Sequence, residues 1–244
     1  MFKNSLLSLF LALGASGVHG ETDETLLARA DAWRLPFNNA QLTVNVELWK
    51  GEEVEKARSY RVSLASQRRV LIHFLHPTER GQKFLQLQED FWITLPQSKR
   101  PLRITPLQKL LGDAAVGDIS SMRWQEDYRV ETQQDCVSED GTACVQLELE
   151  ARFASLSYAR ITLWVDALDA RPLSAAFYLA SGRLAKEATF RFDAEQRRMV
   201  AMELSNALSA NMVTKVRYGP PRPFEVDQRY LNPQYLVRAR GDTC

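Results

Sequence analysis

The chain has 244 residues, with 31 Lys and Arg against 30 Asp and Glu, a formal net charge of +1 and 45% hydrophobic residues. These proportions exclude collagen, low complexity and wholesale disorder. The charge balance argues against a basic nucleic-acid footprint or a polybasic membrane tail.

At the N-terminus, Lys3 precedes an apolar run from Leu6 to Leu13, the small residues Gly14-Ala15-Ser16-Gly17, and then Val18-His19-Gly20. This is the pattern of a secretory signal with a cut after Gly20. The run is too short to span a bilayer, and no Cys near the cut suggests a lipid anchor. Residues 1–20 are therefore expected to be a signal peptide, and residues 21–244 one exported domain.

Residues 22–34 read as a helix, capped by Thr22 or Asp23, with Leu26, Leu27, Ala30 and Trp33 on one face. From about residue 41 the period changes to two. Leu42, Val44, Val46 and Leu48 alternate with polar neighbours. Tyr60, Val62 and Leu64 follow, then Val70, Ile72 and Phe74, then Phe84 to Leu87, then Phe91 to Leu95. Short strands at regular spacing without helical crossovers predict an antiparallel meander.

Thr105-Pro106-Leu107-Gln108 has the form of a capping box with Pro at the first helical position. Ile104, Leu107, Leu110 and Leu111 follow at helical spacing, and Gly112 stops the pattern. A second short helix is expected between Asp118 and Trp124. Strands resume near Tyr128 and continue, through alternating segments such as Ile161-Leu163-Val165, to Val216. Asn232-Pro233 predicts a last helical turn through Tyr235 and Leu236.

About eleven strands and three or four short helices result. The chain is predicted to be mainly β, with one large antiparallel sheet curled on itself and short helices against one side as a lid or plug. Cys136 and Cys144 bracket the turn signal Asp140-Gly141 and, in an exported protein, are expected to form a disulfide. Cys244 is left over.

The search for chemistry yields little. There is no HExxH, CxxC, GxSxG, Walker A or GxGxxG. His73 and His76 lie three apart, on opposite faces of a strand, which does not suit a shared metal. Asp166 and Asp169 read as a turn. The basic cluster Lys99, Arg100, Arg103 and Lys109 reads as a solvated face. No metal, cofactor or catalytic residue is expected. A barrel of this size can enclose an apolar cavity that holds acyl chains. Ile104, Leu107, Leu110 and Leu111 would then be its lid, or else a permanent plug.

Three stretches resemble a known group. They are Phe91-Trp92-Ile93-Thr94-Leu95-Pro96, Lys99-Arg100-Pro101-Leu102-Arg103-Ile104, and Leu110-Leu111-Gly112-Asp113. Together they are similar to the W-x-Y-x-P … R-R-I … G-S-D core of outer-membrane lipoprotein-sorting proteins of the LolA-like superfamily. Tyr158 to Asp166, Arg171-Pro172-Leu173 and the segment from Phe224 to Leu236 are similar to that family's later elements. Thr94 replaces the motif Tyr, and Gly112-Asp113 lacks the intervening Ser. The resemblance implies an unclosed β-barrel with a helical lid and a periplasmic carrier of lipids or lipoproteins.

The leading expectation is therefore a non-enzymatic periplasmic carrier of acyl chains. Its lid would be Ile104, Leu107, Leu110 and Leu111, with Phe91 and Trp92 nearby. Its wall would be Leu42, Val44, Val46 and Leu48. The alternative is an accessory module that docks on an inner-membrane lipid exporter and carries nothing. An enzyme acting on envelope lipid or glycan is the third reading, and it would need a polar cluster inside the barrel.

Overall fold

A computed structural model describes residues 23–34, 39–66, 68–120, 123–206 and 211–238. The predicted leader, Thr22 and Cys244 lie outside them. The alternating segments become β1 (Ala40–Lys50), β2 (Glu53–Ala65), β3 (Arg69–Phe74), β4 (Lys83–Leu87) and β5 (Asp90–Thr94). A short β6 (Leu102–Ile104) extends this meander. The second half supplies β9 (Tyr128–Val137), β10 (Ala143–Ala151), β11 (Arg160–Asp166) and β12 (Pro172–Tyr178). It continues with β13 (Leu184–Asp193), β14 (Arg198–Ser205), β15 (Met212–Tyr218) and the two-residue β16 (Arg222–Pro223).

These strands form one 14-stranded sheet in the order β6-β5-β4-β3-β2-β1-β15-β14-β13-β12-β11-β10-β9, with β16 beside β1. Every pairing is antiparallel. The edges β6 and β9 do not pair, so the barrel is unclosed, as the resemblance implies. β1 pairs with β15, which joins the two meanders through the first and last long strands.

Register assigns the faces. Cross-strand partners share a face, and neighbours along a strand do not. Val44, Val46, Tyr60, Val62, Ile72, Phe84, Leu147, Leu163, Ala188 and Val216 belong to one buried apolar cluster, which marks the inner face. Four further elements join that cluster, α1 ahead of β1 and the other three between β6 and β9. They are α1 (Asp23–Ala32), the hairpin of β7 (Lys109–Leu111) and β8 (Ala114–Ala115), α2 (Val116–Ser120) and α3 (Trp124–Asp127). The barrel interior is thus filled by the chain's own segments.

A second cluster lies on the outer face. Ala65, Leu71 and Leu85 are covered there by Val226, Leu231 and Leu236. The predicted final turn is α4 (Pro233–Arg238), and Asn232 Oδ1 accepts from the backbone N–H groups of Gln234 and Tyr235.

One predicted element is corrected. Residues 105–111 are not a helix. Pro106 and Leu107 form a turn, and Lys109–Leu111 is the strand β7. The stretch expected to be a helical lid therefore leads into a β-hairpin; the helical part of the insertion is confined to the short α2 and α3. Helical spacing of four apolar residues also fits a turn followed by a strand, and the pairing with Ala114-Ala115 decides between them. β6, β7, β8 and β16 are each three residues or fewer, which is why the count from sequence was lower.

The disulfide between Cys136 and Cys144 is formed. It closes the β9–β10 hairpin, where Ser138 and Thr142 face each other around Asp140 and Gly141. Reducing it is expected to cost about 2–3 kcal/mol through the freedom returned to the unfolded loop. Urea midpoints with and without reductant measure this loss.

Candidate functional site

The site is the inner face together with the inserted plug, and the seam where β6 and β9 fail to meet. The predicted wall residues divide along β1. Val44 and Val46 are fully buried in the inner cluster, Leu42 packs against it, and Leu48 is half-buried. Leu48 lies under the hairpin turn, 2.9 Å from where a Cβ on Gly112 would stand.

The lid residues also divide. Ile104, Leu110 and Leu111 pack against the inner cluster, whereas Leu107 is 42% exposed at the turn. Phe91 faces inward beside Phe84, with ring centroids 5.9 Å apart. Trp92 does not join it. It pairs with Leu85, which belongs to the outer cluster, so Trp92 sits on the opposite side of the sheet from the wall. The signal was in the sequence, since adjacent strand residues point to opposite faces.

At the seam lies a small, half-open cleft of about 30 Å³, lined in part by Arg68, Phe91, Pro106, Gly117, Tyr128 and Leu156. Several polar bonds cross it. Arg68 Nη1 lies 2.5 Å from Asp127 Oδ1, and Ser155 Oγ donates to Glu89 Oε2 at 3.3 Å. The Gly117 N–H donates to the Pro106 carbonyl at 3.0 Å, which keeps α2 against the β6–β7 turn.

Burial pushes the Asp127 carboxyl above the ordinary range, and the Arg68 guanidinium pulls it back in part. Asp31 on α1 is likewise raised by burial, with Arg34 opposing. A carboxyl whose folded pKa exceeds its unfolded value weakens the fold where it is charged, and that weakening fades as pH falls through the folded pKa. Between neutral pH and the unfolded value near ~3.9, acid should therefore favour the fold at these two positions. Accordingly, the urea midpoint of the unaltered chain is expected to rise relative to Asp127→Asn as pH is lowered from about 7 to about 4.5. A difference that is flat or falls with acid contradicts the assignment.

Sequence reasoning missed a polar core inside the apolar one. Lys186 on β13 pairs with Phe177 and so faces inward. Its Nζ meets the Asp118 carboxylate from α2 and donates to the Asp113 carbonyl at 3.0 Å. Asp118 also accepts from Tyr158 Oη at 3.0 Å and from the Ala115 N–H at 2.7 Å. The Asp113 N–H donates to Thr214 Oγ1 at 2.9 Å, and Asn206 Nδ2 donates to the Asp113 carboxylate. These bonds tie the hairpin and α2 to β13 and β15. Lys186, Ala188, Phe190 and Phe192 share one alternation phase, so a lysine in phase with inward aromatics was the available signal.

Aromatic contacts seat the other end of the plug. Trp124 packs edge-on to Phe190 at 5.9 Å, and Trp33 to Phe192 at 5.4 Å. The Arg34 guanidinium stacks over Trp124 at 4.1 Å.

The remaining sequence candidates take structural roles. His73 is buried in β3, and His76 caps a 3-10 turn. Asp166 Oδ1 accepts from the Leu168 N–H, as a turn requires. Lys99, Arg100, Arg103 and Lys109 are exposed, with Arg103 paired to Asp90 and Lys109 to Asp113. Among the described residues there is no group of three His, Cys, Asp or Glu placed to hold a metal, and no helix long and apolar enough to cross a membrane.

A family model whose description reads "Uncharacterized protein" matches residues 66–238. No curated protein matches the chain. The chain is similar to the crystal structure of a LolA superfamily protein from Nitrosomonas europaea, with 26% identity and a TM-score of 0.78 over 88% of this chain and 99% of that one. It is also similar to an outer membrane lipoprotein-sorting protein domain from Vibrio parahaemolyticus, at 22% identity and a TM-score of 0.67 over 88% of this chain and 98% of that one. A DUF1329 family protein from Desulfovibrio piger shares the fold at 19% identity and a TM-score of 0.66, over 87% of this chain and 97% of that one.

Proposed function

We propose that this chain, which belongs to the family matched over residues 66–238 and to the LolA-like superfamily, is a periplasmic carrier that holds acyl chains of lipids or lipoproteins on its inner face. It does so without catalysis. The observation that carries this reading is the plug. The inner face of the curled sheet is apolar except around Lys186 and Thr214, and what covers it is α1 and the insertion between the two unpaired edges rather than the sheet itself.

Such an insertion can leave without breaking a pairing of the main sheet, since β7 pairs only with β8. Its departure exposes apolar wall, and each acyl CH₂ buried there returns about 0.8 kcal/mol. A long chain can thus replace the contacts that Leu110, Leu111, Val116 and Ile119 make now. The seam cleft beside Pro106 and Gly117 is the natural entrance, because the inner face approaches solvent there.

The test is native mass spectrometry of protein from a periplasmic extract, followed by lipid extraction and uptake of a fluorescent fatty acid by the delipidated chain. A bound amphiphile of defined mass supports the carrier. An empty chain that also takes up no fatty acid removes it in favour of the accessory module. Leu107→Glu places a charge at the exposed turn beside the entrance. It is expected to leave the melting temperature within about 2 °C, as surface changes do, while weakening uptake several-fold. Unchanged uptake by the folded variant excludes Leu107 from the lid.

A further inference from the structure

The polar core under the plug constrains what can replace the plug. Lys186 is on the wall, whereas its carboxylate partner Asp118 is on the insertion. Both side chains are at least nine-tenths buried, at 5% and 4% exposure. Lys186 also lies 5.2 Å from the Tyr158 ring centroid and 5.9 Å from that of Phe177, on an otherwise apolar stretch of wall.

When the insertion leaves, it takes with it both acceptors of Lys186, the Asp118 carboxylate and the Asp113 carbonyl. Tyr158 Oη loses its acceptor in the same step. Tyr218 Oη and Trp124 Nε1 are buried without a hydrogen-bond partner among the described residues. The Asp118 charge raises the titration of Tyr218 as well as that of Tyr158, burial being the larger cause for both, so one carboxylate acts on both hydroxyls. A purely hydrocarbon ligand would cover Lys186 and leave it charged and unpaired, which is strongly unfavourable.

We propose that the cargo carries an anionic oxygen group, a carboxylate or a phosphate, that takes the place of the Asp118 carboxylate on Lys186 and Tyr158 when the plug leaves the inner face. This rests on the carrier reading and narrows it to anionic amphiphiles, with the acyl chain along the β1–β3 wall and the head at β13. Asp118 then acts as an internal stand-in for the ligand head, so that the empty and loaded forms each satisfy the same lysine.

The test uses the full exported chain, delipidated, and three probes with one hydrocarbon length: palmitate, hexadecyl phosphate and methyl palmitate. Binding is read by intrinsic tryptophan fluorescence. The unaltered chain is expected to bind at least one anionic probe about tenfold or more tightly than the ester. Tighter palmitate assigns a carboxylate head, and tighter hexadecyl phosphate assigns a phosphate.

Lys186→Met is expected to bring the anionic probes to the affinity of the ester, and Lys186→Arg to keep the preference. Lys186→Met leaves Asp118 unpaired, so Asp118→Leu/Lys186→Met supplies a second neutral wall with a balanced charge. Equal affinity for all probes in the unaltered chain overturns the proposal. So does a preference that survives in either neutral variant. Failure of every probe, the ester included, is a different result: it removes the carrier reading itself, and this inference with it.

Discussion

Asp118→Ala is expected to destabilise the chain by about 3–5 kcal/mol, the usual consequence of removing one partner from a buried ion pair. For a domain of this size that corresponds to a fall in melting temperature of roughly 10 °C. Three groups lose an acceptor at once: Lys186 Nζ, which keeps only the Asp113 carbonyl, Tyr158 Oη and the Ala115 N–H. Lys186 is the costly one, because it stays buried and charged. The double variant Asp118→Leu/Lys186→Met removes both charges and is expected to recover most of the loss. The double-mutant cycle separates the pair from the packing around it.

The place of the loss matters as much as its size. α2 contributes Val116 and Ile119 to the inner cluster but no strand to the sheet. Hydrogen exchange in Asp118→Ala is therefore expected to accelerate first in residues 114–120, with the sheet strands protected until global unfolding. Uniform loss of protection would mean that the plug and sheet unfold as one unit. A carrier whose lid opens alone would then be excluded.

The strands were legible because one face of each is buried and the other is not. Val44 and Val46 alternate with Thr43, Asn45 and Glu47, and that period survives into the observed faces of β1. The disulfide was legible from its turn. The lid was not. Leu107, Leu110 and Leu111 fit helical spacing, but the backbone is decided by Ala114 and Ala115, two residues with no pattern of their own. Tertiary pairing overrode local propensity there.

The polar core was illegible for a related reason. Lys186 and Asp118 are 68 positions apart, and no local motif brings them together. Trp92 shows the opposite error. The resemblance drew it toward the cavity, although its place next to Phe91 already sent it to the outer face, where it pairs with Leu85. Similarity of motif picks out a segment and says nothing about the side of the sheet.

Gly112→Val provides the second large effect, and it distinguishes two roles for the hairpin. Gly112 has φ of 55° at the turn between β7 and β8. A side chain there would stand 2.3 Å from Thr214 Oγ1 and 2.9 Å from Leu48 Cδ1. The left-handed conformation alone costs a β-branched residue about 1–2 kcal/mol. Overpacking adds about 1–3 kcal/mol. Gly141→Val is the control, since Gly141 also has positive φ but nothing lies within 4 Å of its missing Cβ. The difference between the two variants isolates the clash with β15 and Leu48.

Thr214 cannot yield freely, because its hydroxyl accepts from the Asp113 N–H. The cheaper response is for the hairpin to lift away from β15. If the hairpin competes with cargo for the inner face, lifting it raises the population able to bind. Acyl uptake by Gly112→Val should then increase several-fold, since apparent affinity scales with the competent fraction. If Leu110 and Leu111 instead hold the cargo, the same displacement abolishes uptake. The two roles give opposite results in a folded Gly112→Val, so a single uptake measurement, with Gly141→Val beside it, decides whether the hairpin is the cargo's competitor or part of its binding wall.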